Sequence, residues 1–167
     1  MKKSIKTLEE ALTFDLQQLY NSEAHLKANI PAILERIKSE PLRSILVQYS
    51  ESSDLKRLKI DRMLSYLSAE PDDKPNEVIS ILISELRGKV SRCSGDILDL
   101  LVIPALQQIC YYKIAAYRAA LTFAMELELD VVADLVHDII DWERETDRLL
   151  MELAFWEFSK SVEASRS

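Results

Sequence analysis

The chain has 167 residues, 48% of them hydrophobic and 29% charged, so a single domain spanning 1–167 with a sizeable core is the default and a disordered chain is excluded. A formal net charge of −7 argues against a nucleic-acid partner, because binding phosphates needs a basic patch. Only two glycines are present, which disfavours the tight turns of strand-rich folds and favours long helices with few connections.

From about Ser4 to Ala28, Leu12, Leu16, Leu19, Glu23, Leu26 and Ile30 recur at three- and four-residue spacing, a helical stripe. Pro31 is a candidate kink, with Ile33, Leu34 and Ile37 continuing the apolar face. Pro41 suits the first turn of a second helix that runs to about Leu67, with Ile45, Tyr49, Ile60, Met63 and Leu67 inward. Lys56, Arg57 and Lys59 are interleaved with acids there, the pattern of a solvated helical face.

The stretch "SAEPDDKPNE" (68–77) holds two prolines and four acids and reads as a loop. A short helix from about Glu77 to Ser91 carries Val78, Ile81, Leu82, Leu86 and Val90. After "CSGD" (93–96), Asp96 or Asp99 is the expected cap of a third long helix, which contains Pro104 and ends near Leu127. A fourth runs from about Asp130 to Ser161 on the stripe Val132, Val136, Ile139, Glu143, Thr146, Leu150 and Leu153. Four long helices with a short one between the second and third predict an all-α, ferritin-like four-helix bundle whose long crossover carries a short extra helix.

Three of the long stripes are interrupted near mid-helix by a charge: Glu23, Lys113 and Glu143. The second has small hydroxyls instead, Ser52 and Ser53, with Tyr49 one turn earlier. One charge on a stripe is ordinarily a boundary residue reaching for water. Three at similar depth point to a polar cluster, because a buried unpaired charge costs several kcal/mol and needs a partner.

Several words carry a resemblance. "LEEALTFDLQQLYNSEAHLKANIPAI" (8–33), "YYKIAAYRAAL" (111–121) and "DIIDWERETDRLLMELA" (138–154) resemble the corresponding stretches of the YciE/YciF family, ferritin-like bacterial proteins associated with stress responses. The resemblance implies a di-metal carboxylate bundle and a homodimer. Carried over position by position, the first-helix glutamate is Glu23, an earlier acid is Asp15, and the fourth helix keeps Glu143 and Asp147. In the second helix the family's His-x-Glu-Glu-Thr is replaced by "YSESS" (49–53), which retains only Glu51; in the third, Glu-His-Tyr-Glu becomes "CYYK" (110–113).

Two coupled metal ions need roughly four to six carboxylate or imidazole ligands, and Lys113 puts a cation among those that remain. The expectation is therefore a degenerate centre without metal or other cofactor, in which Lys113 pairs with Glu23 and Glu143, and a non-enzymatic stress-related or structural role. The alternative is a residual oxidase or ferroxidase using Glu23, Glu51, Glu143 and Asp147. Schiff-base chemistry at Lys113 is disfavoured, since flanking carboxylates would hold the amine protonated. The aromatic tail Phe155-Trp156-Phe158 offers apolar area for a homodimer.

His25, two residues from Glu23, and His137, among Asp134, Asp138 and Asp141, both read as solvated surface, with a weak adventitious metal site possible by spacing at the second. Cys93 and Cys110 form no CxxC, so a reduced cytoplasmic protein is the simplest expectation. Met1-Lys2-Lys3 is not followed by the apolar run of a signal peptide, and no membrane partner is expected. No small-molecule ligand is legible.

Overall fold

The structure is a computed structural model and describes residues 4–166; Met1-Lys2-Lys3, weighed above as a leader, lies outside them. Five helices follow in order: α1 (Leu8–Leu34), α2 (Glu40–Tyr66), α3 (Glu77–Arg92), α4 (Asp96–Glu126) and α5 (Asp130–Arg166). The helices α1, α2, α5 and α4 pack in that order around a ring, and α3 lies against α1 and α4. This is an all-α bundle with the expected crossover helix.

Polar anchors fix the direction of the crossover. Gln17 and Asn21, towards the middle of α1, donate to the carbonyls of Glu70, Asp72 and Lys74, just beyond α2. Asn76 then caps α3 by accepting from the Val78 and Ile79 amides, and its own amide reaches Ser22 of α1 and Tyr112 of α4. At the far end Arg36 donates to the Cys93 carbonyl. So α3 returns the chain along α1, and α4 starts again at the end where α2 started. α2 and α4 therefore run parallel, as a single long crossover requires.

Two helix stops account for the scarcity of glycine. Ser68 (φ 51°) and Glu128 (φ 54°) adopt the left-handed conformation after α2 and α4. In each case the next residue reaches back, Ala69 to Leu64 and Leu129 to Ala124, completing the six-to-one bond of a Schellman stop without glycine. Gly95 is used where it is needed, at φ 65° before α4.

Some expectations need correction. Neither Asp96 nor Asp99 caps α4, which has no side-chain cap. Asp99 instead accepts from the Lys38 and Ser39 amides, bracing the α1–α2 corner from another helix. The inward face of α3 is Ile79, Ile83, Leu86 and Val90; Val78 and Ile81 are exposed. Pro31 and Pro104 lie inside helices, and α5 continues to Arg166. Among the described residues only α4 is long and apolar enough to cross a membrane, and over half of that window is buried within the bundle, as befits a core helix.

Candidate functional site: a buried charge tetrad

The core divides into two apolar clusters. One is built on Leu26, Leu42, Leu46 and Leu106, the other on Leu12, Leu16, Ile60 and Val136. Between them each long helix contributes one fully buried charged residue: Glu23 from α1, Lys56 from α2, Lys113 from α4 and Glu143 from α5. Around the ring α1–α2–α5–α4 the signs alternate, and the formal charges cancel.

Lys113 is the hub. Its Nζ lies 2.7 Å from Glu23 Oε1 and 2.5 Å from Glu143 Oε1, and donates to the Tyr49 hydroxyl at 3.2 Å. Three partners use all three ammonium protons. Lys56 Nζ reaches the same Glu143 Oε1 at 2.5 Å. Both ammonium groups also stand 4.7 Å from the centroid of the Tyr49 ring, within range of its π face.

Neutral groups satisfy the remaining lone pairs. Tyr49 donates to Glu143 Oε2 at 2.9 Å while accepting from Lys113 and from the Cys110 thiol, the latter at 3.5 Å. Tyr117 donates to Glu23 Oε1 at 2.7 Å, and Ser53 to Glu23 Oε2 at 3.0 Å. Each carboxylate thus accepts three hydrogen bonds. That saturation is what makes two buried ion pairs tolerable, because each partly satisfied ion would cost several kcal/mol.

The electrostatics follow. Burial opposes ionisation of Glu143, but Lys113 and Lys56 outweigh it and hold the carboxyl at about 2. Burial likewise opposes the Lys113 ammonium, and Glu143 and Glu23 outweigh it, so the net shift is upward. Both groups are therefore charged throughout the neutral range. Burial, aided by Glu143, pushes the Cys110 thiol up to about 12. Burial and the neighbouring carboxylates also push the Tyr49 and Tyr117 hydroxyls well above 10.0. None of Glu143, Lys113, Cys110, Tyr49 and Tyr117 is an acid or base poised near neutrality.

Glu23, Lys113 and Glu143 meet at one point. Lys56 joins them and overturns two expectations: it is not on a solvated face, and α2 does carry a mid-stripe charge. The spacing Tyr49, Ser53, Lys56, Ile60, Met63 was the signal available for it, since these five are all inward. Glu51 and Asp147 do not join the centre. Glu51 is exposed on the outer side of α2. Asp147 is half-buried and accepts from Gln107 at 3.0 Å.

His25 is half-buried rather than solvated, with Nδ1 3.2 Å from Ser80 Oγ. His137 is exposed, 3.4 Å from Asp141. Among the described residues no three His, Cys, Asp or Glu side chains gather in a way that could hold a metal ion.

The donor set does not fit a di-metal centre. Such a site draws about six carboxylate or imidazole ligands from four helices. Here α2 and α4 present ammonium groups, and the two carboxylates are taken up by ion pairs and hydroxyls.

DUF892, a domain of unknown function, matches residues 7–163. The curated protein YciF of Escherichia coli strain K12 is 24% identical over 172 residues, covering 96% of this chain and 98% of its own. The crystal structure of the E. coli stress protein YciF matches with a TM-score of 0.90 at 23% identity, over 93% of this chain and 99% of that one. YcfI of Rhodopseudomonas palustris, a protein of proposed structural role, matches with a TM-score of 0.85 at 21% identity, over 90% and 96%.

Proposed function

The chain belongs to the DUF892 family, the YciE/YciF proteins, and from that membership we propose that it is a non-enzymatic, stress-related scaffold whose centre is held by ion pairs in place of metal. The observation that carries this reading is the pair of ammonium groups on Glu143 Oε1, each at 2.5 Å. Two lysines supply the positive charge that two cations would otherwise bring to the carboxylates of a ferritin-like bundle. A divalent ion entering this space would meet two cations at close range, without the ligands to displace them.

A structure-first role agrees with the descriptions of the two relatives, one a stress protein and one of proposed structural role. A protein of this kind works through its surfaces, and the proposed partner is a second copy. α5 carries Met151, Phe155, Phe158 and Val162 at four-, three- and four-residue spacing, all exposed. That is the seam of a two-stranded coiled coil, and pairing seam to seam would cover it. A cytoplasmic setting belongs to the same proposal, since Cys93 and Cys110 are both free thiols.

Oxygen-dependent oxidation of ferrous iron by the purified protein is the direct test. The scaffold reading predicts no acceleration over buffer. Turnover that disappears in Glu143→Gln would establish the residual oxidase instead.

A further inference from the structure

The acid-rich segment 68–77 and Asp15 take no part in the tetrad; they meet instead along a separate groove. A groove of about 1510 Å³ runs between the first half of α1, the segment after α2 and the middle of α4. It exceeds the roughly 300–1,000 Å³ of a small-molecule site. Its walls include Phe14 and Val78, both more than two-fifths exposed, and Ala116 and Ala119 of α4, small enough for a second backbone to approach closely.

The charge on this groove is one-sided. Six carboxylates line it against a single lysine, Lys74, whose ammonium already lies 3.7 Å from Asp72. Glu9, Asp15, Glu70 and Glu77 have no cationic side chain among the described residues within ion-pairing distance. Asp15 is the telling one. It is half-buried, its side chain makes no hydrogen bond or ion pair among the described residues, and burial raises its pKa. A half-buried carboxylate without a partner is destabilising in isolation and becomes favourable once a cation is brought to it.

We infer that this groove docks an amphipathic helix of a partner protein, with leucine-like side chains on the Phe14–Ala119 floor and a lysine or arginine on Asp15. Among the described residues there is no strand, so an extended peptide has no sheet edge to join, and a helix laid in a groove is the mode this surface offers. The same charge repels nucleic acid and anionic lipid. The groove shares no residue with the tetrad, so metal binding at Glu143 would leave this inference standing.

The probe is a fluorescein-labelled peptide with leucines at three- and four-residue spacing and lysines between them, alongside a matched peptide with glutamate for lysine. Fluorescence anisotropy should show one lysine peptide bound per chain, weakening as salt is raised. Asp15→Asn should weaken it by roughly fivefold or more, whereas Glu51→Gln, an exposed acid outside the groove, should not. Removing an unpartnered carboxylate leaves the fold intact, and circular dichroism checks this. No binding, equal binding of the glutamate peptide, or equal loss in the two variants would overturn the inference. Asp15-dependent self-association in sedimentation would overturn it too, by making a second copy the occupant.

Discussion

Lys56 and Lys113 stand on helices at opposite corners of the bundle, yet both ammonium groups meet one oxygen atom, Glu143 Oε1, at 2.5 Å each. Like charges converge only where the shared anion and its surroundings outweigh their repulsion. Here the π face of Tyr49 lies beside both ammonium groups, and Glu23 balances the second of them.

Unequal costs follow from unequal bonding. Lys113→Met strands the buried carboxylate of Glu23 and leaves Glu143 with Lys56 alone, so it should cost about 3–5 kcal/mol. Lys56→Met leaves Glu143 paired with Lys113 and should cost less, about 1–3 kcal/mol. Combining Lys56→Met with Glu143→Gln removes one charge of each sign, so the pair should cost less than its parts by about 0.5–3 kcal/mol. Urea denaturation of the natural protein, the three single variants and the double variant measures all three quantities.

Stability should peak between weakly acidic and mildly alkaline pH. Glu143 is held below its ordinary 4.5, so its contribution is complete above that value and is lost as pH falls towards about 2. On the alkaline side Cys110 is raised from 9.0 to about 12, Lys113 is raised, and Tyr49 and Tyr117 lie well above 10.0. Those contributions are complete below the ordinary values and are lost as pH rises through the raised ones. Tyrosinate absorbance should therefore show two of the six tyrosines ionising only together with unfolding. Two further tyrosines ionising only after unfolding, or none, would contradict this.

Ser68 and Glu128 occupy left-handed positions that glycine takes without strain. Ser68→Gly and Glu128→Gly should each raise stability by up to about 1 kcal/mol, measured as a higher urea midpoint with an unchanged slope.

The seam on α5 carries the proposed self-association. Ending the chain after Leu153 removes Phe155, Phe158 and Val162, all exposed, while leaving the buried residues of α5 in place. Sedimentation velocity should then show a folded monomer from a protein that is a dimer at full length. A truncated chain that remains dimeric would move the interface elsewhere.

Much of this was legible because bundle helices announce themselves by spacing. Leu12, Leu16, Leu19, Glu23 and Leu26 fall on one face, and all are buried. Lys56 escaped because "KRLK" (56–59) looks like a wet surface by composition, although the four- and three-residue steps from Tyr49 through Ser53 reach it directly. Composition misled where periodicity was right. The face of α3 was ambiguous for a different reason: "VISILI" (78–83) is apolar on several sides, and contact with both α1 and α4 decides which side is buried. Asp99 serves amides some sixty residues away, a relation no local pattern encodes. Glu51 came from the resemblance alone; two residues from both Tyr49 and Ser53, it lies on another face by spacing.

Elemental analysis of iron, manganese and zinc, on protein expressed in medium supplemented with all three, tests the metal-free centre most directly. Lys56→Glu/Lys113→Glu should run beside it. The ion-pair account predicts only sub-stoichiometric background metal in the natural protein. It also predicts that the double variant, with four carboxylates facing one another, is destabilised when metal-free and gains affinity for divalent ions. Stoichiometric metal in the natural protein that is lost on Glu143→Gln would contradict it.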